Sequence, residues 1–337
     1  MRYTTQHPLL ALLALLALSI ASVAVAQDTR PAADHQSVPT REVAFLSHGI
    51  AMKGVLHLPP SHQEGQKHPV VVVTGSWTTV KEQMAGLYAR KLAEQGFAAF
   101  TFDFRNFGES GGEPRQLESA RLKAEDIVAA SAFVHTLPEV DSEHVGGLGV
   151  CASAGYMGHA IAQGAGLDSF ATVAAWLHDN ETVNVIYGGA DQVAERIERS
   201  KKAEKTFKAT GEVIYVPAFS STADAAMVGE GGYYGNEERG AIKRWSNRFA
   251  EMAWEEWLTF DAVSAAPKVN VPTLFVHSEQ SALPQGVRAF AKAMPGESRI
   301  EWIEGVHSDF YDQEKEVNAA VQALVAHYRA TLGKGGR

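Results

Sequence analysis

Two side chains able to attack a carbonyl carbon stand two positions apart in GLGVCASAGYMG, residues 147–158: the thiol of Cys151 and the hydroxyl of Ser153. Either could run acyl chemistry through a covalent intermediate. A nucleophile on a sharp strand-to-helix turn is held in strained backbone geometry above the sheet, and the next backbone N–H helps to hold the developing oxyanion. Crowding there demands small residues two before and two after the nucleophile. Cys151 has Gly149 and Ser153 in those places, and Ser153 has Cys151 and Gly155, so sterics leave both open. Register separates them. DSEHVGGLGV reads as a buried strand with Val145, Leu148 and Val150 among its apolar residues. Gly149 then falls at the strand end, Cys151 on the turn and Ser153 in the first helical turn, as a cap or a supporting hydroxyl. Cys151 is the expected nucleophile, its pKa lowered by a helix N-terminus and a neighbouring histidine.

The base belongs late in the chain, on the loop after the last strand. His307 in EGVHSDFYD fits that place. It would deprotonate Cys151, then protonate the leaving group or activate water. The acid that orients it usually follows the penultimate strand, where VHSEQSALP puts Ser281 in the position expected for Asp. Glu279, two residues earlier, is the preferred acid, and Asp179 at the end of AAWLHD is its rival. The expected oxyanion donors are the backbone N–H groups of Ala152 and of Ser76 or Trp77 in VTGSWTT, a choice left open here. DFRNFGESGGEPR is expected to shape the floor of the same crevice.

The elements that must position these groups follow from periodicity. REVAFLSHGIAMKGVLHLPP reads as a hairpin of opening strands. HPVVVVTGSW and FAAFTFDF read as strands buried on both faces, with a helix over 80–95 between them. SFATVAAWLHD, VPTLFVHSE and SRIEWIEG continue the strands, PQGVRAFAKAM is helical, and a closing helix runs to about Leu332. Strands alternating with helices predict a mostly parallel sheet, with function at the carboxyl ends of its strands. The alternation breaks over about 180–265, an inserted cap in which Trp245, Phe249, Met252, Trp257 and Phe260 recur at helical spacing. That stripe predicts a lid helix facing the core and roofing a pocket.

The bulk numbers limit the function classes. The chain has 337 residues, 45% apolar and 20% charged, enough for one α/β domain with an insertion over 41–337. Its net charge of -9 and lack of a basic cluster exclude a nucleic-acid footprint. Arg2 precedes the apolar run LLALLALLALSIASVAVA, which closes on Ala24-Val25-Ala26. This predicts a leader over 1–26, cleaved after Ala26, and a periplasmic or secreted protein. Residues 27–40 read as a loose tether. With one Cys the exported chain forms no internal disulfide, so its thiol is buried or used.

The ordered set VTGSW, DFRNFGESGGEPR, GVCASAG, PTLFVHSE and GVHSDFYD resembles the α/β-hydrolase superfamily, within its dienelactone hydrolase-like branch, over nearly all of 42–332. YYGNEERG and WSNRFAEMAWEEWLTFD resemble a capped subgroup that includes fungal polyketide transferases. The resemblance implies an α/β-hydrolase fold and acyl hydrolysis or transfer through a covalent acyl-enzyme, with no metal or cofactor. It carries the nucleophile role to Cys151 and the base role to His307. Ser153 and Ala154 depart from the glycines usual after the nucleophile, and Ser281 from the usual acid. The reading that follows is an exported hydrolase of a small ester, thioester or lactone. An acyl transferase using the same intermediate, and a binding protein on a decayed hydrolase fold, are its alternatives.

Overall fold

Val70, Val71, Val72 and Val73 have no exposed surface, because their strand is covered on both faces. In the computed structural model, which describes residues 37–333, they lie in the middle of an eight-stranded sheet. The expected leader and most of the tether lie outside the described residues. Strands β1 (Thr40–Ser47) and β2 (Ile50–His57) form the opening hairpin around the turn at His48 and Gly49. Then follow β3 (His68–Thr74), α1 (Met84–Glu94), β4 (Ala98–Phe102), α2 (Ala120–Val134), β5 (Val140–Val150), α3 (Ser153–Ala162) and β6 (Ser169–Val173). Helix α1 starts later than expected, because Gln83 turns back to accept the Val80 N–H and Asp103 takes the Lys81 N–H.

Between β6 and the next sheet strand come α4 (Asn180–Ile186), α5 (Ala190–Thr210), the short strands β7 (Tyr215–Pro217), β8 (Phe219–Ser220), β9 (Met227–Val228) and β10 (Arg248–Ala250), and α6 (Trp254–Thr259). The α/β order resumes with β11 (Thr273–His277), α7 (Pro284–Ala293), β12 (Ser298–Trp302), α8 (Asp309–Asp312) and α9 (Glu314–Thr331). Strand order in the large sheet is β1-β2-β4-β3-β5-β6-β11-β12. It is parallel from β4 to β12, and β2 runs antiparallel to both neighbours. Helix α1 packs against α9, and α2 against α3. This is the α/β-hydrolase fold.

The aromatic stripe does not form one lid helix. Trp245 lies in a turn, Phe249 in β10, Met252 in a 3-10 turn, and Trp257 in the six-residue α6, with Phe260 just past its end. Pairing of β10 with β7 and the positive φ of Asn247 break the helical path. The side chains still converge. Trp77 stands 4.8 Å from Phe249, 5.9 Å from Trp254 and 5.2 Å from Trp257, ring centre to ring centre. The folded-over segment gathers Phe249 and Trp257 of the stripe, with Trp254, around Trp77.

Buried histidines fasten these parts in their neutral form. His178 Nδ1 accepts from the Trp176 indole at 3.1 Å while Nε2 lies 3.1 Å from the Trp257 carbonyl, so a second proton has no acceptor. Burial holds His57, His178, His277 and His327 at about 4, below the ordinary 6.5. The unfolded chain therefore binds more protons below pH 6.5, and stability falls with pH down to about 4, by up to about 1.4 kcal/mol per pH unit for each ring. The urea midpoint should be flat from pH 8 to 7 and drop steadily from 6.5 to 4.5. A flat profile through the lower window would show that these rings titrate normally.

Candidate active site

Cys151 sits between the end of β5 and the start of α3 with φ +55°, a left-handed conformation costly for a non-glycine residue. Three backbone hydrogen bonds fix it. Its N–H donates to Val173 at 3.0 Å, and its carbonyl accepts from Ala154 and Trp176 at 3.0 Å each. The turn is so tight that a Cβ on Gly149 would lie 2.6 Å from the Ser153 carbonyl oxygen. Ser153 is the first residue of α3, and its hydroxyl donates to the Gly75 carbonyl. That bond ties the elbow to the loop after β3.

His307 follows β12 and precedes α8, and its Nε2 lies 3.3 Å from Cys151 Sγ. Nδ1 faces the Ser281 hydroxyl at 2.7 Å and the Ala282 N–H at 3.4 Å. Neither expected acid is there. The turn from Ser278 to Ser281 closes through a 3.1 Å backbone bond, with Ser278 Oγ accepting the Gln280 N–H. It leaves Glu279 exposed and paired with Arg288, and brings Ser281 to the imidazole. Asp179 caps α4, accepting from the N–H groups of Glu181 at 3.1 Å and Thr182 at 2.9 Å. Ser281 hydrogen-bonds either tautomer of His307, since a hydroxyl both donates and accepts. A carboxylate would enforce the proton on Nδ1; the Ala282 N–H opposes it.

Among the oxyanion candidates, Trp77 and Ala152 direct their backbone N–H groups to the Cys151 sulfur. Ser76 does not, because its N–H points at Met84 Sδ, 3.5 Å away. Its hydroxyl reaches the sulfur instead, together with that of Tyr311. Tyr234 donates to Ser76 Oγ at 2.8 Å, and Tyr311 lies 3.3 Å from the same oxygen. Tyr311 and Tyr234 escaped the sequence reading, although Tyr311 is four residues past His307 and Tyr234 lies in the quoted YYGNEERG. Behind the loop, buried Glu118 accepts from the Thr78 N–H at 2.8 Å, the Tyr156 hydroxyl at 2.7 Å and Lys123. Residues 103–115, expected as a crevice floor, do not line the cavity. Asp103 instead binds Lys81 at 2.8 Å, and Phe104 packs behind Tyr156.

The cavity over the sulfur holds about 370 Å³. Trp77, Trp176, Tyr187, Met227, Trp257 and Val306 form most of its wall, and among the described residues no Lys, Arg, Asp or Glu lines it. Desolvation therefore governs the pair. Burial first, and then the positive charge available to His277, hold His307 at about 3. Burial pushes the Cys151 thiol up, against the hydrogen bonds from Ser76, Tyr311, Ala152 and Trp77. The expected lowering of the thiol does not occur. With the thiol above and the imidazole below their ordinary values, the resting pair is neutral at pH 7.

These features agree with what the chain is similar to. The profile of the alpha/beta hydrolase family matches residues 70–320, and the chain belongs to that family. It is 28% identical over 299 residues to the uncharacterized protein YcjY of Escherichia coli strain K12, covering 84% of this chain and 95% of YcjY. The crystal structure of hypothetical protein PA2218 from Pseudomonas aeruginosa superposes with a TM-score of 0.74 at 25% identity, covering 88% of this chain and 94% of that one. A thiohydrolase, aneE of Aspergillus aculeatus, is 31% identical over 121 residues, 36% of each chain.

Two substitutions separate the rival partners of His307. Ser281→Ala should lower kcat/KM by roughly two- to twelve-fold, the kinetic equivalent of one hydrogen bond of about 0.5–1.5 kcal/mol. Glu279→Gln should stay within about two-fold of wild type; a larger loss than in the Ser281 variant would return the orienting role to Glu279. Iodoacetamide labelling of Cys151 followed against pH should rise with a midpoint above the ordinary thiol value of about 8.5. A plateau already reached at pH 7 would mean a resting ion pair.

Proposed function

We propose that the chain is an exported hydrolase that cleaves uncharged, apolar esters, thioesters or lactones through an acyl-enzyme on Cys151. One observation carries this reading: His307 Nε2 lies 3.3 Å from Cys151 Sγ at the wall of a charge-free cavity. In acylation the sulfur attacks the carbonyl carbon as its proton passes to Nε2. The carbonyl π electrons move to oxygen, which the N–H groups of Trp77 and Ala152 stabilise. Collapse breaks the bond to the leaving group and leaves a thioester on Cys151. Water then attacks that thioester, giving a proton to Nε2, and the sulfur departs and takes a proton back. The apolar wall supports an acyl group without charge, since an unpaired carboxylate buried there would lose its hydration. Export rests on the leader pattern that ends at Ala26.

Water exclusion by the aromatic roof favours one second reading, transfer of the same acyl group to an alcohol or amine. Added acceptors discriminate, because only free acid at every acceptor concentration removes transfer.

Intact-mass spectrometry after exposure to apolar acyl donors should show one acyl adduct in wild type and none in Cys151→Ala. Turnover in that variant should fall by at least about 10³-fold, as for nucleophile removal in other acyl-enzyme hydrolases. Undiminished turnover in Cys151→Ala would remove the thiol mechanism altogether.

A further inference from the structure

We propose that this site is selective for the leaving group, accepting acyl compounds whose leaving group departs as a stable anion, thioesters and esters of phenols or enols, and discriminating against alkyl esters. The inference rests on the acyl-enzyme reading and adds to it what must leave. It starts from what faces His307. On its Nδ1 side stand only the Ser281 hydroxyl at 2.7 Å and the Ala282 N–H at 3.4 Å. The carboxylates of Glu279, Asp309 and Asp312 are committed elsewhere, to Arg288, to the Val306 N–H at 3.0 Å and to Arg239, and Glu304 is exposed. On the ring faces are the edges of Trp176 and Tyr311, with centres 6.0 and 5.5 Å away. Among the described residues, no charged group is in contact with the ring to stabilise an imidazolium.

The tetrahedral intermediate can break either way. Expelling the sulfur returns substrate; expelling the other group gives the acyl-enzyme. A thiolate has a conjugate acid of pKa about 8.5, whereas an alkoxide is about as basic as hydroxide, whose conjugate acid is near 15.7. An alkoxide therefore leaves only if a proton is delivered to its oxygen as the C–O bond breaks. In this site the proton taken from Cys151 sits on an imidazole that burial keeps from holding it. With Nε2 3.3 Å from Sγ and a hydroxyl rather than a carboxylate behind Nδ1, the charged ring is short-lived and its proton has a direct path back to the sulfur before the C–O bond breaks. The other hydroxyls in reach, those of Ser76 and Tyr311, are engaged with each other and with the sulfur. Burial also makes the Tyr311 phenol a weaker acid than usual. For a thioester the C–S bond breaks with its electron pair on a sulfur as good a leaving group as Cys151 itself, and no proton is required. Phenolate and enolate leave for the same reason.

The carbonyl side is equipped equally for every leaving group. The N–H groups of Trp77 and Ala152 meet the oxyanion whatever is attached to the carbon. Selectivity thus comes from the proton, and Ser281 is a positioning residue that sets it.

The test uses one acyl group with three leaving groups: S-butyryl-N-acetylcysteamine, phenyl butyrate and ethyl butyrate. Each kcat/KM is divided by the rate constant for hydroxide with the same compound, which removes intrinsic reactivity. The normalised value for the thioester and the phenyl ester should exceed that for the ethyl ester by roughly 10²–10⁴-fold, the usual contribution of general acid catalysis. Ser281→Asp should shrink that ratio at least tenfold by raising the ethyl ester rate. Normalised rates within threefold of one another in wild type would overturn the proposal, and an unchanged ratio in a folded Ser281→Asp protein would overturn the role given to Ser281. Mass spectrometry keeps the two readings apart. Turnover of the thioester with no Cys151 adduct defeats the acyl-enzyme, whereas an adduct formed equally fast from all three esters defeats only the leaving-group inference.

Discussion

A thiol and an imidazole share one water-poor pocket with no ion to balance either, and that constraint organises the site. Desolvation raises Cys151 and lowers His307, so both neutral forms are favoured until a carbonyl arrives. What the pocket offers in place of a counter-ion is a set of neutral donors aimed at the sulfur: two backbone N–H groups and two hydroxyls. These stabilise negative charge where it develops on sulfur and oxygen, and do nothing for positive charge on the ring. The asymmetry separates the two halves of the reaction. Attack and oxyanion formation are supported, and proton storage is not.

The geometry that delivers those donors is held by backbone hydrogen bonds and by side chains behind the cavity wall. The strained turn at Cys151 is clamped by Val173, Ala154 and Trp176, from a strand, a helix and the loop after β6. Ser153 and Glu118 do the corresponding work for the loop after β3, through Gly75 and Thr78. Thr78 itself has φ +61°, so the Trp77 peptide is aimed by a second left-handed residue. Glu118 also holds Tyr156 on α3, the helix that starts two residues after Cys151. One buried carboxylate thereby locks the loop after β3 to α3, and Lys123 meets its charge. The cap adds Tyr234, whose hydroxyl reaches Ser76. The roof and the sulfur are thus joined through a single hydrogen-bonded path.

Much of this was legible in order and little of it in contact. The alternation of β-branched runs with helical segments specified the sheet because its central strands bury both faces and each flanking helix one. Cys151 could be separated from Ser153 by register, since the strand phase decides which residue lands on the turn. His307 followed from chain order. Glu279 failed because sequence distance does not say which way a turn faces: a one-turn bend at Ser278 sends it to solvent and Ser281 inward. The stripe of Trp245, Phe249, Met252, Trp257 and Phe260 failed as a single helix for a related reason. Helical spacing is only suggestive where short strands and a positive φ at Asn247 redirect the chain. Tyr234 and Tyr311 could not be found from spacing at all, because their role depends on three segments 77 or more residues apart meeting at Ser76.

The missing carboxylate also bears on how a lone thiol survives in a chain proposed to be exported. Thiolates are the reactive form toward oxidants as well as toward carbonyls. A Cys–His ion pair held permanently by a carboxylate would be nucleophilic at all times, with no second Cys to resolve an oxidised sulfur. Here burial keeps Cys151 protonated, and the cost falls on the departure of leaving groups that need proton delivery. Hydroxyl donors that act only on developing negative charge recover the rate for substrates that do not. The same desolvation therefore explains a protected thiol and a narrow choice of leaving group, without a separate device for either.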